Sequence, residues 1–207
     1  MEVLKKILKA WPFAFILGLL IGVLVLLAVR FITYKPDSVH YHANFAVYIN
    51  GQREEFKGPQ YYEEFSTASC SSDGPKIDPR ERVHMHGNIN DVVHVHDDLV
   101  TWGNFFQNLG WGISDNYLAV PDTIYQNNDQ AKLTFVLNGK QIDSIANKII
   151  NDRDRLLISY GNNTQQSLDQ QFKTVASSAQ KYDESKDTAA CGSNAAPTTR
   201  QRLNHLI

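Results

Sequence analysis

The stretch His42–Asn50, which reads HANFAVYIN, carries the pattern on which the fold depends. Phe45, Val47 and Ile49 alternate with smaller or more polar residues, and a period of two is typical of a β-strand with one buried face. Asn50-Gly51 follows directly, and this dipeptide is a strong short-range signal for a tight hairpin turn. The sequence therefore predicts that the folded domain begins with a β-hairpin.

Further strands are predicted downstream of this hairpin. Glu81–His86 and Val92–Asp97 form a second hairpin candidate, because the residues between them are rich in Gly and Asn, which tolerate positive φ. Lys132–Leu137 and Arg155–Tyr160 are apolar runs of strand length, and Asn138-Gly139 supplies another hairpin turn. The chain thus contains enough strands for one sheet.

Helices are expected at three places among these strands. Thr101 can cap a helix with an aromatic face that ends at Gly110. A second short helix is predicted through Ile145 and Ile149, and apolar residues recur at helical spacing over 165–182. This order of elements predicts an α+β fold with a mixed or antiparallel β-sheet and short packed helices. A β-grasp-like roll is one candidate for this arrangement.

The two cysteines of the chain lie in its polar segments. Residues 58–80 and 111–130 are predicted to be loops, and Cys70 belongs to the first of them. Cys191 lies near the end of the chain. An even number of cysteines in an exported domain favours a disulfide, so a Cys70–Cys191 bond is predicted to tie the tail to the domain.

The segment Trp11–Ile32 is 22 residues long and carries one charge, Arg30. A helix of this length extends about 33 Å and can cross a hydrocarbon core of about 30 Å. An uncleaved transmembrane helix is expected because the apolar run is longer than a signal-peptide core; a cleaved signal peptide is the alternative. Lys5, Lys6 and Lys9 precede it, so the positive-inside rule predicts a cytoplasmic N-terminus and an exported domain.

These features predict a single-pass protein of the cell membrane. The expected parts are a cytoplasmic N-terminus (1–10), a transmembrane helix (11–32), a juxtamembrane linker (33–39), an extracytoplasmic α+β domain (40–161), a docking amphipathic helix (165–182) and a polar tail (183–207). The formal net charge is −2 without a long basic run, which argues against nucleic acid as a partner.

Histidine is the residue type with the strongest pattern. Six of the seven histidines occur as three H-x-H motifs. In a strand, residues i and i+2 point to the same face, so each motif presents two neighbouring imidazoles. The candidate metal ligands are His40, His42, His84, His86, His94 and His96.

The register of the second hairpin decides whether its four histidines converge. A register in which paired residue numbers add to 180 sets His84 opposite His96, and a sum of 178 sets it opposite His94. Either even sum places all four on one face, whereas an odd sum separates the two motifs. Periodicity favours an even sum, in which Met85, Val93 and Val95 face the core. His40 and His42 could then add two ligands or form a separate site.

Imidazole nitrogen is a ligand suited to Zn, Cu(II), Ni and Fe, and the scarcity of Met and Cys argues against a Cu(I) site. We therefore expect zinc or copper. Acidic residues beside the motifs are candidates for orienting the imidazoles through hydrogen bonds. These acids are Glu81, Asp91, Asp97 and Asp98. The competing interpretation is structural: the histidines hydrogen-bond to carboxylates or stack on Tyr41 and Trp102.

The sequence resembles a set of single-span exported membrane proteins, rich in H-x-H motifs, from small-genome bacteria, with distant archaeal relatives. The shared features are HYHANFAVYINGQ (His40–Gln52), VHMHGNINDVVHVHDD (Val83–Asp98), TWGNFFQNLGW (Thr101–Trp111) and DRLLISYG (Asp154–Gly161). The resemblance implies an anchored topology and a histidine-rich domain, and it implies no reaction.

The expected function is a membrane-anchored, extracytoplasmic protein that binds a transition metal. Two alternatives remain open. One is a zinc-dependent hydrolase or hydratase, for which the chain offers no H-E-x-x-H motif and no identifiable catalytic residue. The other is an envelope module that binds a protein partner, with aromatic contacts and structural or pH-sensing histidines. The candidate contacts are Tyr61, Tyr62, Trp102, Phe105, Phe106 and Trp111.

Overall fold

The structure, a computed structural model, describes residues 2–34, 39–63, 78–184 and 199–206. Helices and β-sheets are both present in these ranges, which confirms the α+β class. Within the described ranges the helices are α1 (Glu2–Thr33), α2 (Pro79–Arg82), α3 (Trp102–Asn108), α4 (Gln165–Lys173), α5 (Ala179–Glu184) and α6 (Thr199–Asn204), with a 3-10 turn at Pro59–Tyr61.

The chain divides into two compact units, and the first comprises residues 1–37 and 194–207. Within α1, Trp11–Thr33 is apolar and long enough to cross a membrane, with a mean hydropathy of 2.8. This segment fits a single-pass membrane helix and equally an N-terminal signal sequence. Arg202 of α6 donates hydrogen bonds to the carbonyl oxygens of Phe31 and Ile32, which lie in the last turn of α1 and have no intrahelical donors.

The second unit, residues 38–193, contains a mixed seven-stranded sheet. Its strands are β1 (Tyr41–Ile49), β2 (Gln52–Arg53), β3 (Val83–His84), β4 (Val92–Val95), β8 (Lys132–Leu137), β9 (Lys140–Ile142) and β10 (Arg155–Gly161), and a separate three-stranded sheet holds β5 (Gly112–Ile113), β6 (Tyr117–Val120) and β7 (Thr123–Gln126). The main sheet has the order β3-β4-β1-β10-β8-β9, and β2 pairs with β1. A β-grasp roll is not established by these features.

Strand β1 lies at the centre of the sheet and is buried on both faces. It runs parallel to β10 and antiparallel to β4. Phe45, Val47 and Ile49 pack in the larger core, as predicted, but Ala46 and Tyr48 are buried as well. The sequence predicted one buried face; the second is covered because α4 and α5 pack on the other side of the sheet.

Both Asn-Gly turns form the predicted hairpins. Asn50 and Gly51 have φ values of 51° and 82°, and Asn138 and Gly139 have φ values of 52° and 79°. Positive φ at both central residues matches the right-handed twist of the paired strands. The return strands are short, since β2 has two residues and β9 has three.

Helix α3 begins at the predicted cap and supplies much of the core. The hydroxyl of Thr101 accepts a hydrogen bond from the Asn104 amide, and the Asn104 side chain accepts one from the Thr101 amide. Trp102, Phe105 and Phe106 are fully buried against the sheet. These aromatic residues are therefore core residues, as their helical spacing indicates.

The prediction of a helix through Ile145 and Ile149 is wrong, because this segment is irregular. The amides of Trp102 and Gly103 donate to the carbonyl oxygens of Lys148 and Ala146 at 3.0 and 2.9 Å. The first turn of a helix has unpaired amides, and this irregular segment satisfies two of them. Two carbonyl groups of this segment consequently accept hydrogen bonds from the first turn of α3 and not from amides within the segment.

Two further segments differ from the predictions. Residues 111–130, expected to be a loop, contain the three short strands β5, β6 and β7. The range 165–182 forms α4 and then α5, with a break at Thr174, whose hydroxyl donates to the Gln171 carbonyl. Leu168 and Val175 of this range are buried against the sheet, as expected for an amphipathic segment.

The predicted disulfide falls outside the described residues. Cys70 belongs to the range 64–77 and Cys191 to the range 185–198, and neither range is described. The Cys70–Cys191 bond therefore stays a prediction.

Candidate metal centre

The sheet register brings all three H-x-H motifs onto one face. His84 pairs with His94 between β3 and β4, which is the register with a sum of 178. His94 also pairs with His42 of β1, a contact that the sequence left open. Three histidines on three adjacent strands thus form one row across the sheet, and His40, His86 and His96 flank this row at even-numbered positions.

The alternate residues of these strands face the core, as predicted. Met85, Val93 and Val95 are completely buried among apolar side chains. Tyr41 and Trp102 belong to this core side too: the Tyr41 hydroxyl donates to the Ile150 carbonyl, and Trp102 is packed in α3. The histidine face is therefore separated from these two aromatic rings, and the imidazoles contact one another.

His40, His42 and His94 form a cluster that could hold a metal ion. One nitrogen from each ring can be chosen so that all three atoms lie within 4.8 Å of one another. His42 Nε2 and His94 Nδ1 are hydrogen-bonded at 3.0 Å, and a bound ion would replace the proton between them. Two ligand nitrogens on one ion lie about 3.3 Å apart when each bond is about 2.0–2.1 Å long. The spacing of the His42 and His94 nitrogens is therefore close to that of two ligands on one ion.

An acidic residue orients the His42 ring. Asp183 Oδ1 is 2.7 Å from His42 Nδ1, and Asp183 Oδ2 accepts a hydrogen bond from Arg153 Nε at 3.0 Å. Burial acts to raise the pKa of Asp183, but the hydrogen bonds from His42 and Arg153 outweigh it and leave that pKa below its ordinary value. The ionised carboxylate accepts the Nδ1–H of His42, so the Nε2 lone pair faces the cluster.

The sequence did not identify Asp183, because 141 residues separate it from His42. The acids next to the motifs have other partners: Asp97 pairs with Arg82 at 2.7 Å, and Asp91 lies 3.8 Å from Arg53. The only sequence signal for Asp183 is its position directly after the amphipathic range that was expected to dock on the domain.

Helix α5 covers the cluster. The Asn44 side chain anchors the start of this helix, since it donates to the Ser178 hydroxyl at 3.0 Å and accepts from the Ala179 amide at 2.9 Å. The Tyr182 ring lies 5.9 Å from the ring centroid of His42 and 6.3 Å from that of His94. His42 and His94 are consequently 0% and 1% exposed.

Burial keeps the central imidazole neutral. The pKa of His94 is far below its ordinary value, first because the ring is buried and then because His86, His42, His84 and His96 would repel a proton on it. A neutral imidazole has a free lone pair, which is the form that binds a metal ion. His94 can therefore act as a ligand without first losing a proton.

The remaining histidines adjoin this cluster. The ring of His86 is 3.8 Å from that of His94, and the ring of His84 is 5.0 Å from that of His96. His84 Nδ1 lies 2.7 Å from the carbonyl oxygen of Arg80. That contact requires Nδ1–H of His84 as the donor, because a carbonyl oxygen only accepts.

The arrangement is a nitrogen-rich cluster that could hold a cation. One ring is held by a carboxylate and another by a backbone carbonyl, which is the outer support that metal-bound histidines usually have. Comparisons of the chain with protein-family models, with curated proteins and with solved structures find no match. The site's chemistry must therefore be argued from its own geometry.

Proposed function

We propose that this chain is a membrane-anchored, extracytoplasmic protein that binds zinc or copper through H-x-H histidine pairs on β-strands. His40, His42 and His94 are the ligands of the ion, and Asp183 positions His42. The 3.0 Å approach of His42 Nε2 to His94 Nδ1, inside a cluster whose ligand atoms lie within 4.8 Å, carries the proposal.

The donor set supports a borderline transition metal. The described ligand atoms are all imidazole nitrogens, which suit zinc and Cu(II), whereas Ca²⁺ and Mg²⁺ prefer oxygen ligands. The chain contains only two methionines, so a thioether site for Cu(I) has little support. Zinc and copper are therefore the ions to test first.

The apolar helix supports a role at the membrane surface. Lys5, Lys6 and Lys9 precede it, and the positive-inside rule then directs the histidine domain to the outer side. A binding domain tethered there can acquire, buffer or deliver a metal ion beside other proteins of the membrane. Burial of His42 and His94 suits retention of the ion.

The two alternative functions have less support. A zinc hydrolase needs a water at an open metal position and a general base. Asp183 is the carboxylate that contacts the cluster, and it is already engaged by His42 and Arg153. An interaction module would use exposed aromatic residues, but Trp102, Phe105, Phe106 and Trp111 are buried in the core.

Elemental analysis of the full chain, purified in detergent without a polyhistidine tag, tests the proposal. We expect zinc or copper at near-integral stoichiometry, removable by a chelator and restored by dialysis against the metal. The triple variant H40Q/H42Q/H94Q should lose that ion. Glutamine keeps a polar side chain but removes the imidazole ligand.

The matched control is His205→Gln, which changes the one histidine outside the three motifs and should leave the metal content unchanged. Circular dichroism establishes that each variant is folded. The proposal fails if the unmodified chain carries no transition metal and takes up neither zinc nor copper after reconstitution, or if the folded triple variant keeps its metal.

A further inference from the structure

Helix α6 is too short to be stable by itself. It spans the six residues Thr199–Asn204, and isolated helices shorter than about 12–15 residues are marginal in water. A helix of this length therefore needs a surface on which to pack. It packs on the end of α1, with which it belongs to one compact unit. The domain, residues 38–193, lies between these two helices in the sequence.

Arg202 joins α6 to the last turn of α1. Its Nη1 donates to the carbonyl oxygens of Phe31 at 2.6 Å and of Ile32 at 2.9 Å, and its Cζ lies 5.7 Å from the centroid of the Phe31 ring. The helix dipole favours a cation at this end of α1, where the last carbonyls have no intrahelical donors. The rings of Tyr34 and His205 also stack, at 4.4 Å. Helix α6 thus caps α1.

This contact determines the depth at which α6 would lie in a membrane. Trp11–Thr33 extends about 35 Å, whereas the hydrocarbon core of a bilayer is about 30 Å thick. The carbonyls of Phe31 and Ile32 therefore lie where the hydrocarbon meets the headgroups, and α6 lies there with them. Arg30 belongs to the same last turn, and arginine and tyrosine are residue types that favour this layer.

The exposed side chains of α6 fit a layer of lipid headgroups. Leu203 is 51% exposed, and Arg200 is exposed as well. Residues 188–207 contain two arginines and no acidic residue, so no acid of this segment neutralises Arg200. A basic helix with an exposed apolar side chain is the type of segment that binds an anionic membrane surface.

We propose that α6 is an interfacial helix that binds the end of α1 through Arg202 and the phosphates of neighbouring anionic lipids through Arg200. The domain is then attached to the membrane at both of its chain ends. This inference rests on the anchored topology of the proposed function and is independent of the metal. A signal sequence removed by cleavage would leave α6 without its partner helix.

Hydrogen exchange of the full chain in lipid nanodiscs tests this inference. One set of discs contains phosphatidylcholine, and a second set contains equal parts of phosphatidylcholine and phosphatidylglycerol. The amides of residues 203–206 should exchange more slowly than those of an unstructured peptide, and more slowly in the anionic discs than in the neutral discs. The amides of β1 and β10, measured in the same samples, establish that the domain is folded.

Two variants separate the contacts of α6. Arg202→Gln should bring residues 203–206 to the unstructured rate in both sets of discs, because the contact with α1 is lost. Arg200→Gln should raise their exchange rate about fivefold in the anionic discs only, since one arginine at a charged lipid surface contributes about that factor. The matched control Lys140→Gln removes one exposed positive charge from the domain and should leave the exchange of α6 unchanged.

The outcomes distinguish this inference from the proposed function. Unstructured exchange rates at residues 203–206 in both sets of discs, or slow exchange that persists in Arg202→Gln, overturn the docking of α6 and leave the anchor intact. Equal rates in neutral and anionic discs overturn the lipid contact. Intact-mass analysis of the same samples must find residues 1–33, and a chain that lacks them overturns the anchored topology together with this inference.

Discussion

Asp183 shows how a residue remote in sequence completes a site that the motifs only begin. The H-x-H spacing predicts which rings share a face, because the side-chain period of a strand is two. It contains no information on Asp183, which reaches His42 through the folding of α5 back onto the sheet. The histidines that share one face could therefore be predicted from the sequence, whereas the acid that orients His42 could not.

The substitution Asp183→Asn should weaken metal binding by about 10–100-fold, the usual effect of removing an outer-shell partner of a metal-bound histidine. The amide keeps the shape of the side chain but loses the charge that fixes the His42 tautomer. Isothermal titration with Zn²⁺ measures the change. Asp169→Asn, on the exposed face of α4, is the control and should bind as the unmodified chain does. Equal Zn²⁺ affinities of the two variants would contradict a role of Asp183 in positioning His42.

The buried state of His94 predicts a pH dependence of stability in the metal-free chain. Its pKa is lowered in the folded state, first by burial, so between that pKa and the unfolded value of about 6.5 the unfolded state binds more protons. Stability is then fully present above about pH 6.5 and falls below it, by up to about 1.4 kcal/mol per pH unit for one group.

Chemical unfolding of the chelator-stripped chain from pH 7.5 to 5, followed by tryptophan fluorescence, measures this dependence. His94→Gln should reduce the slope below pH 6.5, whereas His205→Gln should leave it unchanged. A free energy of unfolding that is constant across this range in the unmodified chain would contradict the burial argument.

The turns and the helix cap that depend on a few adjacent residues could be predicted from the sequence. The Asn-Gly turns and the Thr101 cap are specified by two to four adjacent residues each, and all three formed as predicted. The choice between the sums 178 and 180 was not predictable, because either register buries the same apolar residues. The strands β5–β7 were missed because they are only two to four residues long, which is too short for a clear alternation of buried and exposed residues.

The contact of α3 with the irregular segment before β10 gives a prediction for Gly103. A Cβ atom at this position would lie 2.6 Å from the Ala146 carbonyl oxygen, which is a backbone atom and cannot rotate away. Gly103→Ala should therefore destabilise the domain by about 1–3 kcal/mol, although alanine has the higher helix propensity. Denaturant unfolding measures the loss. Gln107→Ala, at an exposed position of the same helix, should change stability little, and a Gly103→Ala chain as stable as the unmodified one would contradict the packing described here.

At the scale of the whole molecule, the site and the apolar helix belong to separate compact units. An uncleaved anchor predicts that the mature chain keeps residues 1–33 and stays in the membrane fraction after washing with alkaline carbonate. Intact-mass analysis of the purified protein checks this expectation directly. A mature chain that begins after the apolar segment would show a cleaved signal sequence, and the protein would then be exported without a tether.

X-ray absorption at the zinc edge identifies the ligands of the proposed metal ion. The full chain loaded with one equivalent of Zn²⁺ should show a first shell of nitrogen at about 2.0–2.1 Å with the multiple scattering of three imidazole rings, and H40Q/H42Q/H94Q should lose it. A zinc spectrum without imidazole scattering in the unmodified chain would contradict the account.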